Sequence, residues 1–169
     1  KLKLNRSLSS EYTYHNFDLH FLRIYLQDIS VEIIKRSACD FNSMRGRHVS
    51  KPLQQILMEA QSLASKGVKE LVIIGQDTTY WGFDTDNKRN VTLVLEELSK
   101  VKGIEWIRLM YAYPSRFPVD LIDTIKNTEN ICKYLDMPVQ HISDNVLKSM
   151  RRGITNKTLM GLFDKLRTE

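Results

Sequence analysis

The 169-residue chain is 42% hydrophobic and 27% charged, with a net charge of +5, an ordinary composition for one globular domain with a real core. No run approaches the roughly 18 consecutive apolar residues of a membrane-spanning helix, and the start Lys1-Leu2-Lys3 carries no apolar signal region, so a cytoplasmic protein without membrane contact is expected. Two cysteines, Cys39 and Cys132, are too few for a disulfide scaffold or for a structural zinc site made of thiolates alone.

The front of the chain is basic. Residues 1–51 hold nine Lys and Arg against five Asp and Glu, a surplus that suits phosphate contact on a nucleic-acid surface and equally suits a plain solvated face. The first 45 residues contain neither glycine nor proline, whereas all seven glycines and all four prolines follow. Phe17 to Ile34 is apolar without a clean period and receives no element. From Ser50 the pattern becomes regular. Ser50 is placed as a helix cap with Pro52 in the first turn, and Ile56, Leu57, Ala60, Leu63 and Ala64 recur at helical spacing until Gly67. Leu71 to Ile74 is an all-apolar run of the kind found in parallel strands covered on both faces. A helix over 91–100, a strand over 106–111, a helix over 119–126, a strand over 132–136 and helices over 144–151 and 157–167 complete the reading. Alternating helices and strands with short connections predict parallel β/α units.

In such units ligands gather where the strands exit, because the loops there converge on one face. Three consecutive exits are polar: Gly75-Gln76-Asp77-Thr78-Thr79-Tyr80-Trp81-Gly82, then Tyr111-Ala112-Tyr113-Pro114-Ser115-Arg116, then Pro138-Val139-Gln140-His141-Ile142-Ser143. A turn-forming role accounts for Asp77, Thr78 or Ser143 taken singly; their placement on one face favours a site for the set. These three segments, with Trp106–Met110 and Tyr134–Met137 before them and Val146–Thr155 after them, resemble the radical SAM domain of the ribosomal-protein methylthiotransferases, the RimO family. The resemblance runs from about Arg45 to Glu169. The related tRNA enzymes read differently at 76–79 and at Gln140-His141, which favours a protein substrate.

The resemblance implies an α/β fold, a partial (β/α) radical SAM barrel with an incomplete parallel sheet and helices outside. It implies S-adenosylmethionine and a 4Fe-4S cluster held by three cysteines spaced C-x3-C-x2-C, with soft thiolates matching soft iron–sulfur centres. In the family a 5'-deoxyadenosyl radical abstracts hydrogen from the β-carbon of an aspartate in a small-subunit ribosomal protein, where a methylthio group is installed. The partner implied is that protein or the ribosome surface, with possible rRNA contact. Gln76, Asp77 and Thr78 would line the S-adenosylmethionine pocket; Ser115, Gln140 and His141 would reach its ribose or methionine part, and Arg152 would pair with a carboxylate. Tyr113 or Arg151 stands as an alternative contact, and Arg151-Arg152 as a helix-end charge complement.

One motif departs from the family. Counting back from Arg45-Gly46 puts the third cluster cysteine at Cys39, but the second position is Arg36 and the first is Glu32. A guanidinium has no lone pair to give and a carboxylate is a hard ligand, so neither replaces a thiolate. Val31 stands where the family has glycine, while Tyr25-Leu26 keeps its register. Cys132, at the start of a strand, reads as a buried small apolar residue. His15 and His20 fit no metal pattern, and His48 reads as structural or anion-binding. The expected organisation is a divergent segment over 1–44 and a radical SAM core fragment over 45–169, without the family's N-terminal methylthiotransferase domain or C-terminal β-domain. Two functions remain open: a methylthiotransferase core, inactive as it stands, or a non-catalytic module that binds S-adenosylmethionine or the ribosome.

Overall fold

The computed structural model describes residues 48–168 in full and the backbone of residues 21–25. Cys39, Glu32, Arg36, Val31, His15, His20 and Arg45 to Arg47 lie outside the described residues. Four strands form one parallel sheet in sequence order: β1 (Phe21–Tyr25), β2 (Glu70–Ile74), β3 (Trp106–Leu109) and β4 (Ile131–Leu135). The crossovers carry α1 (Leu53–Ser65), α2 (Phe83–Asp86), α3 (Val91–Ser99) and α4 (Asp120–Asn127), and α5 (Asp144–Ser149) and α6 (Asn156–Thr168) follow β4. This is the parallel α/β architecture that the alternation predicts.

Side-chain alternation along the strands explains the layering. Leu71 and Ile73 of β2, Ile107 and Leu109 of β3 and Ile131 of β4 are buried against Ile56, Ala60 and Leu63 of α1, Val94, Leu95 and Leu98 of α3, and Leu121 and Ile122 of α4. Each such Leu or Ile contributes roughly 1.5–3 kcal/mol by leaving water. The alternate residues Glu70, Val72 and Arg108 are only partly buried, and Trp106 is 55% exposed. On that second face Arg108 donates Nε to Glu70 at 2.8 Å and lies 5.5 Å over the Tyr134 ring, an ion pair backed by a cation–π contact.

Several local expectations change. Residues 21–25, within the stretch left without an element, form β1 and pair with β2 in parallel register, Phe21 opposite Glu70 and Tyr25 opposite Ile74. Local periodicity is blind to that pairing because a short parallel strand has a partner only in three dimensions. Ser50 does not cap α1. Pro52 occupies the cap, its carbonyl accepting from Gln55 and Ile56, and Ser50 bonds elsewhere. The strand expected over 106–111 ends at Leu109, because Tyr111 takes a positive φ of 57° that cannot continue a strand. At the far end of α1, Gly67 adopts φ +86° while its amide and that of Val68 close onto Ala64 and Leu63, the left-handed stop glycine allows without strain. No helix among the described residues is long and apolar enough to cross a membrane.

Candidate functional site

The exits of β2, β3 and β4 lie side by side because the strands are parallel and adjacent, so every following loop emerges at the same edge. The loop after β2 is a tight 3₁₀ turn, Thr78–Tyr80. Asp77 caps it: Oδ1 accepts from the Thr79 amide at 3.0 Å and from Thr79 Oγ1 at 2.5 Å, an arrangement typical of aspartate before a helical turn. Its other oxygen, Oδ2, accepts from Arg89 Nη1 at 3.2 Å. Both oxygens of Asp77 are thus engaged inside the loop. Thr78 is fully buried; its hydroxyl donates to the Met110 carbonyl at 2.9 Å and its amide to the Tyr111 carbonyl at 3.2 Å. Gln76 stands exposed on the turn.

The loop after β3 is held from both sides. The Tyr111 amide donates to Asp136 Oδ2 at 3.0 Å and the Ala112 amide to the Asp136 carbonyl at 2.9 Å. Farther on, Ser115 Oγ donates to the carbonyl of Gly153 at 3.1 Å, which ties this loop to the link between α5 and α6. Ser115 therefore braces the segment that carries Arg152.

Arg152 turns back over the strand exits and meets Tyr113 and Gln140. Its Nη1 donates to the Tyr113 hydroxyl and its Nη2 to Gln140 Oε1, each at 3.4 Å, near the outer limit of a hydrogen bond. Its Nε is buried without a partner among the described residues. These three side chains, with Pro114, Pro138, Val139, His141 and the apolar floor of Leu147, Ile154 and Leu159, line a hollow. The volume of this hollow is about 10 Å³, room for one water-sized group. His141 is exposed, and its Nδ1 accepts from the Ser143 amide at 2.9 Å, which leaves the proton of the neutral ring on Nε2.

The structure thus brings Gln140, His141 and Arg152 together, places Ser115 behind them, and keeps Gln76, Asp77 and Thr78 on the neighbouring turn, joined to the hollow through Tyr111. Sequence reasoning passed over Asp136 and Arg89. Asp136 sits at a strand exit, so its position was a usable signal; Arg89 follows a short helix in a polar stretch and gives none.

A second cluster lies beside the β2 turn. Ser50 donates its hydroxyl to Asp84 and its amide to Asp84 Oδ2 at 2.7 Å, and the hydroxyl accepts from the Gly82 amide at 2.9 Å. Trp81 Nε1 donates to the Lys51 carbonyl at 2.8 Å. His48 meets the Tyr80 ring edge-on at 4.7 Å between centroids, with its ring nitrogen 3.4 Å from the Ser50 hydroxyl. Burial holds the His48 pKa below the ordinary value against the opposing pull of Asp84 and Asp77, so the ring is neutral at pH 7.

For a metal cluster the described residues offer nothing: no three His, Cys, Asp or Glu side chains converge among them. Cys132 is the second residue of β4, at the end opposite the exits. Burial pushes its thiol pKa up, although Arg108 pulls the other way. It is not built as a ligand, as thiolate is the binding form. In a Cys39→Ser variant, iodoacetamide labelling of Cys132 is expected to follow a titration above the usual thiol value of 9.0; a midpoint below it would show an activated thiol instead.

The chain thus forms a parallel β/α sheet with polar strand exits, and the sequence gives its class. Residues 37–169 match the Radical SAM superfamily, and the chain belongs to that superfamily. Proteins named ribosomal protein uS12 methylthiotransferase RimO are similar to it: that of Flavobacterium johnsoniae is 54% identical over 129 residues, 76% of this chain and 30% of the relative. The counterpart in Christiangramia forsetii is 50% identical over 131 residues, 78% and 29% of the two chains, and that of Bacteroides fragilis 44% over 135 residues, 80% and 31%. Within the superfamily the chain falls in the RimO family. The matched stretch spans less than a third of those relatives' length.

Whether the residues present suit the family's cofactors is decided by their donors. The orphaned Nε of Arg152 and the long bonds of its two Nη atoms leave a guanidinium with unspent capacity, a fit for a carboxylate such as the amino-acid end of S-adenosylmethionine. The described residues do not fit a 4Fe-4S cluster.

Proposed function

We propose that the chain is the S-adenosylmethionine-binding core fragment, over residues 45–169, of a RimO-type methylthiotransferase. The observation that carries this is the partly satisfied Arg152 guanidinium at the strand exits. Arg152 binds the carboxylate, Tyr113 and Gln140 hold the guanidinium in plane, His141 lines the same hollow, and Gln76 stands on the neighbouring turn. Bound S-adenosylmethionine supplies the transferable chemistry in this superfamily; the protein's own part is to anchor one end and exclude water from it. The substrate is an aspartate of a small-subunit ribosomal protein, met in the cytoplasm on that protein or on the ribosome surface, where the basic front of the chain would contact rRNA. The names of the relatives support this substrate class.

As it stands the polypeptide is inactive in methylthio transfer, since Glu32 and Arg36 occupy two of the three thiolate positions that the family motif requires. Two measurements on the whole chain test these halves separately. Equilibrium dialysis is expected to find S-adenosylmethionine bound, and its absence would remove the reading of the cleft. Anaerobic iron and sulfide reconstitution is expected to leave the protein well short of a stoichiometric cluster. About four irons per chain, with reductive cleavage of S-adenosylmethionine, would overturn the inactivity.

A further inference from the structure

Arg89 is an unusual investment. It lies outside the hollow, its side chain is 15% exposed, and its Nε is buried without a hydrogen-bond partner among the described residues. Its guanidinium lies 5.1 Å over the Tyr80 ring and 6.0 Å from the centre of Phe83, contacts that fix the direction in which it points. It points at the turn after β2. Nη1 donates to Asp77 Oδ2 at 3.2 Å and to Thr79 Oγ1 at 2.9 Å.

We propose that Arg89 is a positioning residue for the cleft, holding the Asp77–Thr79 turn and, through it, the exits of β3 and β4. The route is a continuous set of hydrogen bonds. Arg89 neutralises and orients Asp77; Asp77 holds the Thr79 amide and hydroxyl; Thr78, between them, is pinned to the carbonyls of Met110 and Tyr111. Tyr111 in turn donates its amide to Asp136, the residue that leads into Pro138–His141 on the wall of the hollow. Tyr111 needs such a hold, because a non-glycine residue at φ 57° persists only where its surroundings over-determine it. Without Arg89 the Asp77 carboxylate would lose the cationic partner it has among the described residues and would draw water into the turn. The inference rests on the reading of the cleft as the S-adenosylmethionine site only in its binding arm.

The test compares the whole chain with Arg89→Gln and Arg89→Lys. Amide hydrogen exchange is read at Thr78, Thr79 and Tyr111, whose donors form the route, and in β2 and β3 as the reference. In Arg89→Gln, exchange at the three amides is expected to rise about tenfold while Leu71 and Ile107 change less than about twofold, the pattern of local opening. Arg89→Lys keeps the charge without the planar fork and is expected to fall between the two. The S-adenosylmethionine dissociation constant is expected to rise about tenfold in Arg89→Gln, which a 1.4 kcal/mol loss of preorganisation produces. Unchanged exchange at Tyr111 in both variants overturns the proposal, as does equal loosening of β2, β3 and the loops, which would make Arg89 a determinant of folding alone. If the wild-type chain binds no S-adenosylmethionine, the reading of the cleft fails while the exchange comparison still decides the role of Arg89.

Discussion

Replacing Arg152 with alanine is expected to weaken S-adenosylmethionine binding about a hundredfold, with little change in stability. The reason lies in how the guanidinium is spent. Its two bonds in the structure are long, 3.4 Å to Tyr113 and 3.4 Å to Gln140, so removing them costs the fold less than about 1 kcal/mol. A carboxylate ligand instead takes charge-assisted bonds, each of roughly 1.5–3 kcal/mol, and a hundredfold corresponds to about 2.7 kcal/mol. Arg152→Lys is expected to recover only part of the affinity, because an ammonium cannot reproduce the fork. Equilibrium dialysis at fixed ionic strength, beside a thermal melt, measures both quantities. An affinity within about twofold of the wild type would place the ligand elsewhere.

The second large effect is expected on stability, in Ser50→Ala. Ser50 is buried, and its hydroxyl both donates to Asp84 and accepts from the Gly82 amide. Alanine leaves that amide buried and unpaired, at a cost of about 1–3 kcal/mol. Gly82 itself holds φ +85°, and a side-chain carbon placed there would lie 3.0 Å from the Lys88 carbonyl, so only glycine fits that position without strain. The substitution should also change how stability depends on pH. For Asp84, partial burial raises the pKa, but the Ser50 hydroxyl and amide outweigh it and hold the group below its ordinary 3.8. A carboxylate depressed in the folded state adds stability that is complete above 3.8 and is lost as pH falls through the folded value. For His48, burial holds the folded pKa below 6.5. The unfolded ring therefore takes its proton first, and stability complete above 6.5 declines as pH falls toward the folded value. Both groups make acid destabilising, in two windows. Ser50→Ala is expected to flatten the lower window and to leave a decline beginning below 6.5, as read by urea unfolding at pH 7, 5 and 3.5. A variant as stable as the wild type at all three would show that the Ser50 bridge contributes nothing.

How far these sites could be read beforehand differs from residue to residue. The strand Leu71–Ile74 and the helix through Ile56, Ala60 and Leu63 were legible because burial leaves a periodic trace in the sequence. The polar exits were legible for a related reason: where a short apolar run stops, the chain must turn, and in parallel sheets all such turns share one edge. Gln140, His141 and Arg152 accordingly meet in one hollow. Thr78 and Asp77 looked alike in sequence, and only packing separates the buried hydroxyl that staples two strand exits from the carboxylate that closes its own turn. Ser50 looked like a helix cap and is a bridge across 34 positions of chain.

By itself the sequence determined the family, the alternation of helices with parallel strands, the edge on which chemistry would gather and the mismatch at Glu32 and Arg36. These depend on residue type, spacing and period, which a linear chain carries in full. The tertiary structure alone decided the partners: the pairing of β1 with β2, the Arg89 hold on Asp77, the link from Tyr111 to Asp136 and the unspent Nε of Arg152. A hydrogen bond requires its atoms within about 3 Å and in line, and no property of either residue in the chain states which distant residue will arrive there.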